Sequence, residues 1–165
     1  MTARRGLILG IGNLLLQDEG VGVHVIQALA RAAGTPEGAL PPGTETVDGG
    51  TLGLDLLPLL DGVDGLVLVD AAQLGREPGT VAVLRGDELA RVLGGHVSAH
   101  QVGVADLLGA ARLAGALPGR VSLVAIQPAV VAPGLALTPE VAAALPAAVA
   151  AARAEAWAHA GADAP

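Results

Sequence analysis

Five side chains of this sequence are of the types that ligate metals or move protons, and they share a common placement: Asp18, Glu19, Asp48, Asp70 and His100. Asp18 and Glu19 follow the first predicted strand, Asp48 ends the second and Asp70 ends the third, and His100 stands two residues after Ser98, where a helical pattern begins. In a parallel sheet the carboxyl ends of the strands converge, so carboxylates and an imidazole distant in sequence meet in one cleft. An imidazole in the first turn of a helix is disfavoured as a cation, which leaves it neutral and able to ligate a metal. Asp70 carries the most weight, because a carboxylate closing a buried apolar run needs a partner or a function. Ordinary roles compete for the others. Asp18 can serve as the N-cap of the following helix, and Asp48, before Gly49-Gly50, can shape a turn. His24 is either a helix residue in an ordinary solvated or hydrogen-bonded role or a further ligand. His96 and His159 read as surface residues.

Composition narrows the chemistry. The chain has 165 residues, 52% of them hydrophobic, enough for one continuous core, and residues 1–165 read as one domain. Nine basic residues, all Arg, against 16 acidic ones give a net charge of −7, which offers no basic surface to neutralise phosphates and argues against nucleic acid as a partner. The absence of Cys excludes disulfides, zinc knuckles, iron–sulfur clusters and a thiol nucleophile, so any metal must be held by carboxylates and imidazoles. Asp, Gly and Pro interrupt every apolar run before the ~18 residues needed to cross a bilayer. Arg4-Arg5 followed by apolar residues resembles a signal peptide, but Asn13 falls inside the run and Gln17-Asp18-Glu19 stands where a cleavage site belongs, so a cytoplasmic protein is expected.

The elements that must position these residues follow from periodicity. Strands are predicted over 7–9, 44–47, 66–69, 81–84 and 121–126, alternating with helices near 19–33, 52–60, 87–93, 101–114 and 139–159. That alternation predicts an α/β fold, a mostly parallel twisted sheet of about five strands with helices on both faces. Ser98 to Gln101 fits a capping box. Thr138-Pro139-Glu140 offers an N-cap, a first-turn proline and a carboxylate at the positive helix end. Pro146 is expected to kink the last helix, and 34–43, with three prolines, reads as a connecting loop.

The stretch from Gly10 to Gly22 leaves the first strand and enters the first helix. A dinucleotide fingerprint is incomplete there, since Leu15 occupies the place of the third small residue and two acids follow where a pyrophosphate would sit. On the residues alone, the sequence describes an α/β protein with an acidic, His-containing cleft able to bind a divalent metal, and it names no substrate.

The motifs taken together resemble the nickel-iron hydrogenase maturation proteases, endopeptidases that remove a C-terminal extension from the hydrogenase large subunit. The resemblance runs over nearly the whole chain: Gly10-Ile11-Gly12-Asn13 with Asp18-Glu19-Gly20-Val21-Gly22, then Asp48-Gly49-Gly50-Thr51, Val69-Asp70-Ala71, His100-Gln101-Val102-Gly103, Gln127-Pro128 and Leu137-Thr138-Pro139-Glu140. It implies that Glu19, Asp70 and His100 are the metal ligands, selecting Glu19 over Asp18, with Asp48 a secondary candidate for shaping the site. Gln17 and Ala99 depart from the family pattern, and neither is a proposed ligand. Two carboxylates and one imidazole with open positions suit nickel or zinc. The resemblance further implies that the precursor of the large subunit carries its nickel into the site and that only loaded precursor is cut, with another divalent metal such as zinc a candidate in the resting protein. Two roles are compatible with this set: the metal acts as a Lewis acid, or it anchors substrate while Glu19, Asp70 or Asp48 acts as general base.

Other classes fit less well. A peptidyl-tRNA hydrolase also opens on a Gly-x-Gly-Asn turn, but that family would want a proline where Leu14 stands, a nearby aromatic and an Arg-His-Asn sequence, and the net charge argues against it. A non-catalytic nickel- or subunit-binding chaperone would need the same ligands and differs only in showing no cleavage. A nucleotide-binding α/β domain is the remaining alternative.

Overall fold

The computed structural model describes residues 4–94, 99–162 and 165, with the side chains of 99–102 outside the described set. The expected capping box at Ser98 and the expected surface residue His96 fall outside the described residues. All five expected strands form: β1 (Gly6–Ile11), β2 (Thr44–Gly50), β3 (Gly65–Ala71), β4 (Val81–Arg85) and β5 (Arg120–Ile126). They lie in one sheet in the order β2-β1-β3-β5-β4, parallel except for β4, which runs antiparallel to β5. The reversal of β4 has a simple cause. Residues 72–80 are too few for the dozen or more that a parallel crossover needs.

β3, Gly-Leu-Val-Leu-Val-Asp-Ala, is buried at every position, as a central parallel strand covered on both faces must be. Alternate side chains along the strands feed two cores. Leu7, Leu9, Leu66, Leu68 and Leu123 face the side covered by a 3-10 segment (Gly53–Leu60), α2 (Gly86–Gly94) and α3 (Ala99–Leu113). Ile8, Val67, Val69, Val124 and Ile126 face α1 (Val21–Ala32) and α4 (Pro139–Ala160). α1 buries Val21, Val25, Ile26 and Leu29, while α4 presents Ala144, Ala148, Ala152 and Ala156 at helical spacing, a small-residue stripe that lets it lie close on the sheet.

Two elements differ from expectation. The segment over 52–60 forms a 3-10 helix, because Pro58 has no N–H to donate and its ring crowds the carbonyl four residues back, which disfavours α-helical bonding there. The first helix starts at Val21 and not at Glu19; Gln17–Gly20 forms a separate 3-10 turn, entered through Gln17 at φ 51°. α4 starts at Pro139 with Thr138 at the N-cap position, runs on through Pro146, and ends at Gly161, whose φ of 83° is the left-handed conformation of a helix terminus. Among the described residues, no helix is long and apolar enough to cross a membrane.

Candidate active site

The turn after β1 is built by close backbone contact. At Gly12, with φ 153°, a Cβ would lie 2.1 Å from the Glu19 carbonyl oxygen, so only glycine lets the 3-10 turn carrying Asp18 and Glu19 fold back against the strand end. At Gly22 a Cβ would meet the carbonyl oxygens of Ile11 and Val69, each at 2.3 Å. The glycines of this motif serve to seat α1 on β1 and β3. Asn13 Oδ1 accepts from the Leu15 N–H at 2.9 Å and shapes the turn between them.

Asp18 is not the N-cap that its position suggested. α1 is preceded by Gly20 with no side-chain cap, while the Asp18 carboxylate, with no exposed surface, reaches the segment after β5. It accepts from the N–H groups of Ala129 (2.9 Å), Val130 (2.9 Å) and Thr138 (2.8 Å) and from the Thr138 hydroxyl (2.9 Å). Burial alone would raise its pKa, but these donors together hold it below the usual carboxylate value. The same donation takes the Thr138 hydroxyl away from capping α4. Two further bonds tie the strands of this clamp, Gln17 N–H to the Gly134 carbonyl (3.0 Å) and Gly134 N–H to that of Leu15 (2.9 Å).

Glu19, 6% exposed, lines a cavity of about 360 Å³ at the carboxyl edge of the sheet. Its walls are Ile11 at the end of β1, Leu16 from the turn after it, Thr51, Gly53 and Leu56 from the segment after β2, and Gly103, Val104 and Leu107 from α3. Asp70, 2% exposed, is next to last in β3, against which the turn carrying Glu19 packs. It stands one residue past Val69, which pairs with Gly10; Gly10 pairs on its other side with Asp48. The ends of β1, β2 and β3 are therefore level, as expected. Pleat alternation nevertheless separates the two aspartates. Asp70 shares a face with Leu66 and Leu68, whereas Asp48 shares the opposite face with Gly10 and Ile8. Asp48 is exposed, and its Oδ1 accepts from the Gly50 N–H at 2.9 Å, the turn-shaping role. His100 belongs to the first turn of α3, and its side chain lies outside the described residues. Among the described residues, no three side chains of the ligating types are gathered as a metal cluster.

Three polar residues act away from this cavity. His24 is half-buried on α1; burial first, then Arg31, holds its pKa below the ordinary imidazole value. His159, expected at the surface, has a side chain only 10% exposed, because Gly65 leaves room for it: a Cβ on Gly65 would lie 2.7 Å from that of His159. Its Nε2 is 3.3 Å from Ser122 Oγ and 3.9 Å from Glu155, and burial keeps its pKa low despite that carboxylate. Gln127, marked only by the short Gln-Pro motif, is buried and joins the loop after β3 to the end of β5, its Oε1 accepting from the Leu74 N–H at 2.7 Å.

A family model described as HycI, hydrogenase maturation protease, matches residues 23–155, a stretch that contains Asp48, Asp70 and His100 and begins just after Glu19. The hydrogenase 2 maturation protease of Escherichia coli K12 is 38% identical over 138 residues, covering 83% of this chain and 81% of that protein. The hydrogenase expression/formation protein HupD of Rhodobacter capsulatus is 40% identical over 125 residues, 75% of this chain and 57% of that longer protein. Among solved structures, the hydrogenase maturating endopeptidase HybD from Escherichia coli superposes with a TM-score of 0.79 at 37% identity, covering 89% of this chain and 88% of its own. The cavity with its buried Glu19, the seven-residue buried strand ending in Asp70-Ala71 and the glycine-seated first helix thus occur in a chain that belongs to the hydrogenase maturation protease family.

Proposed function

We propose that this peptide hydrolase acts in the cytoplasm on the precursor of a nickel-iron hydrogenase large subunit, removing its C-terminal extension, and that Glu19, Asp70 and His100 ligate the nickel the precursor carries. The observation behind the assignment is the pair of buried carboxylates at one end of the sheet, Glu19 on the cavity wall and Asp70 at the end of β3. Helical periodicity adds the third position: Gly103, Val104 and Leu107 line the cavity, and position 100 falls on the same stripe of α3. A carboxylate, carboxylate and imidazole set with open positions accepts nickel or zinc, and a zinc ion in the resting protein would use the same three residues.

The chemistry left to the chain itself is positioning and proton transfer. Holding substrate-borne nickel fixes the neighbouring peptide bond in the cavity, and that loss of freedom lowers the barrier to attack. The metal supplies Lewis-acid polarisation when present. A cavity carboxylate takes a proton from the attacking water and returns it to the leaving amine as the C–N bond breaks. No thiol is involved, as the chain has no Cys. Ile11, Leu16, Leu56, Val104 and Leu107 make the surrounding wall apolar, which strengthens these polar contacts. Replacing Glu19→Gln, Asp70→Asn or His100→Ala is expected to abolish processing of loaded precursor with the fold retained, and wild-type processing by any two of them would remove the assignment. Binding of loaded precursor without cleavage would instead support the chaperone role.

A further inference from the structure

Among the described residues, eight large apolar side chains are exposed, and six of them lie on the segments that follow β1, β2 and β5. Leu15 follows β1, Leu52 and Leu54 follow β2, and Val130, Val131 and Leu135 follow β5, so all six sit at the carboxyl edge where the Glu19 cavity lies. The other two, Leu113 and Leu117, precede β5 at the opposite edge. Single exposed leucines are ordinary, but a rim of six large apolar side chains on the segments of one edge, beside a cavity that holds a buried carboxylate, marks a binding face.

The rim is built and not incidental. The parallel bridge between Leu16 and Gly134 ties the two segments together, with Leu15 just before it on one and Leu135 just past it on the other, 64% and 72% exposed. The Asp18 carboxylate fixes Ala129, Val130 and Thr138 to the turn that carries Glu19, so this lip and the cavity wall are one unit. Leu52 and Leu54 form the facing lip, in sequence beside the wall residues Thr51 and Gly53.

We propose that this rim docks a folded, apolar surface of the protein substrate beside the segment that enters the cavity, an inference that rests on the proposed protease function. The occupant follows from the placement. Any protein that delivers a peptide bond to Glu19 must cover the lips on either side of it. A second copy of this chain seated there would close the cavity and would bring together two chains that each carry a net charge of −7. The six rim side chains carry no charge, which fits an apolar protein surface and not a polybasic or anionic one.

The test compares wild type with Leu15→Glu/Leu135→Glu, and with Leu113→Glu as a control at the far edge, in binding to immobilised nickel-loaded precursor and in processing across precursor concentration. Docking at the rim predicts that the double variant raises Kd and KM at least tenfold with kcat within twofold, while Leu113→Glu changes neither. Kd and KM within twofold of wild type, or a loss confined to kcat, would overturn it. So would a wild-type dimer that the double variant dissociates without changing KM, since the rim would then be a self-association face. Leu52→Glu/Leu54→Glu, on the facing lip, carries the same prediction should the first pair not fold. Wild type that binds precursor without cutting it defeats the protease function while the Kd comparison still decides docking; wild type that does not bind defeats both.

Discussion

Asp18 and Glu19 are neighbours of the same charge type with different work. Asp18 is wholly enclosed and accepts from four donors 111 to 120 residues further on, whereas Glu19 lines the cavity. Asp18→Asn keeps the shape but offers one oxygen and an NH₂ where three N–H groups and a hydroxyl converge; losing charge-assisted bonds of this kind is expected to cost about 2–3 kcal/mol, read in denaturant unfolding. Glu19→Gln and Asp70→Asn should leave the unfolding midpoint within a few degrees while processing falls more than about 100-fold. A variant of Glu19 that unfolds as Asp18→Asn does would make both residues structural. The placement of Asp48 and Asp70 at strand ends was legible from the strand pattern, while Glu19 was separated from Asp18 only by the family resemblance. Asp18's role was not, since its partners lie across the chain, and neither was the pleat parity that turns Asp48 to the face opposite Asp70.

Within the elements, the glycine motif makes a prediction of sign. Glycine to alanine inside a helix ordinarily stabilises by about 0.5–1 kcal/mol. Gly109→Ala in α3, with open space around it, should do so. Gly22→Ala in α1 should destabilise by about 2 kcal/mol or more, because the added methyl meets two strand carbonyls at 2.3 Å and overpacking outweighs propensity. Thermal unfolding of the two variants checks both signs, and stabilisation by Gly22→Ala would contradict the close seating of α1. The strands were legible from sequence pattern, with individual ends extended by up to three residues in the structure. The 3-10 geometry of Gly53–Leu60 and Gln17–Gly20 was not, because apolar periodicity marks a helical segment without distinguishing its pitch.

For the whole molecule, acid should loosen the amino end of the sheet, where His159 is packed. His159 is packed among Ser122, Glu155, Arg120 and Arg85, with Arg4, Arg5 and Asp64 lining the crevice beside it. Its folded pKa is lowered chiefly by burial, so above the ordinary value of about 6.5 both states are neutral. Below it the unfolded chain takes the proton first, and stability falls as pH drops toward the folded pKa. Unfolding midpoints between pH 7.5 and 5.5 should decline for wild type and decline less for His159→Gln; equal slopes would remove His159 from the account. Its burial was not legible because it depends on the missing side chain of Gly65, far away in sequence. The central claim concerns the opposite end of the sheet. Purified protein mixed with hydrogenase large-subunit precursor in nickel-loaded and nickel-free forms, with the C-terminal mass change read, tests it most directly: cleavage of the loaded form alone is predicted, and equal cleavage of both forms, or of neither with loading verified, would contradict it.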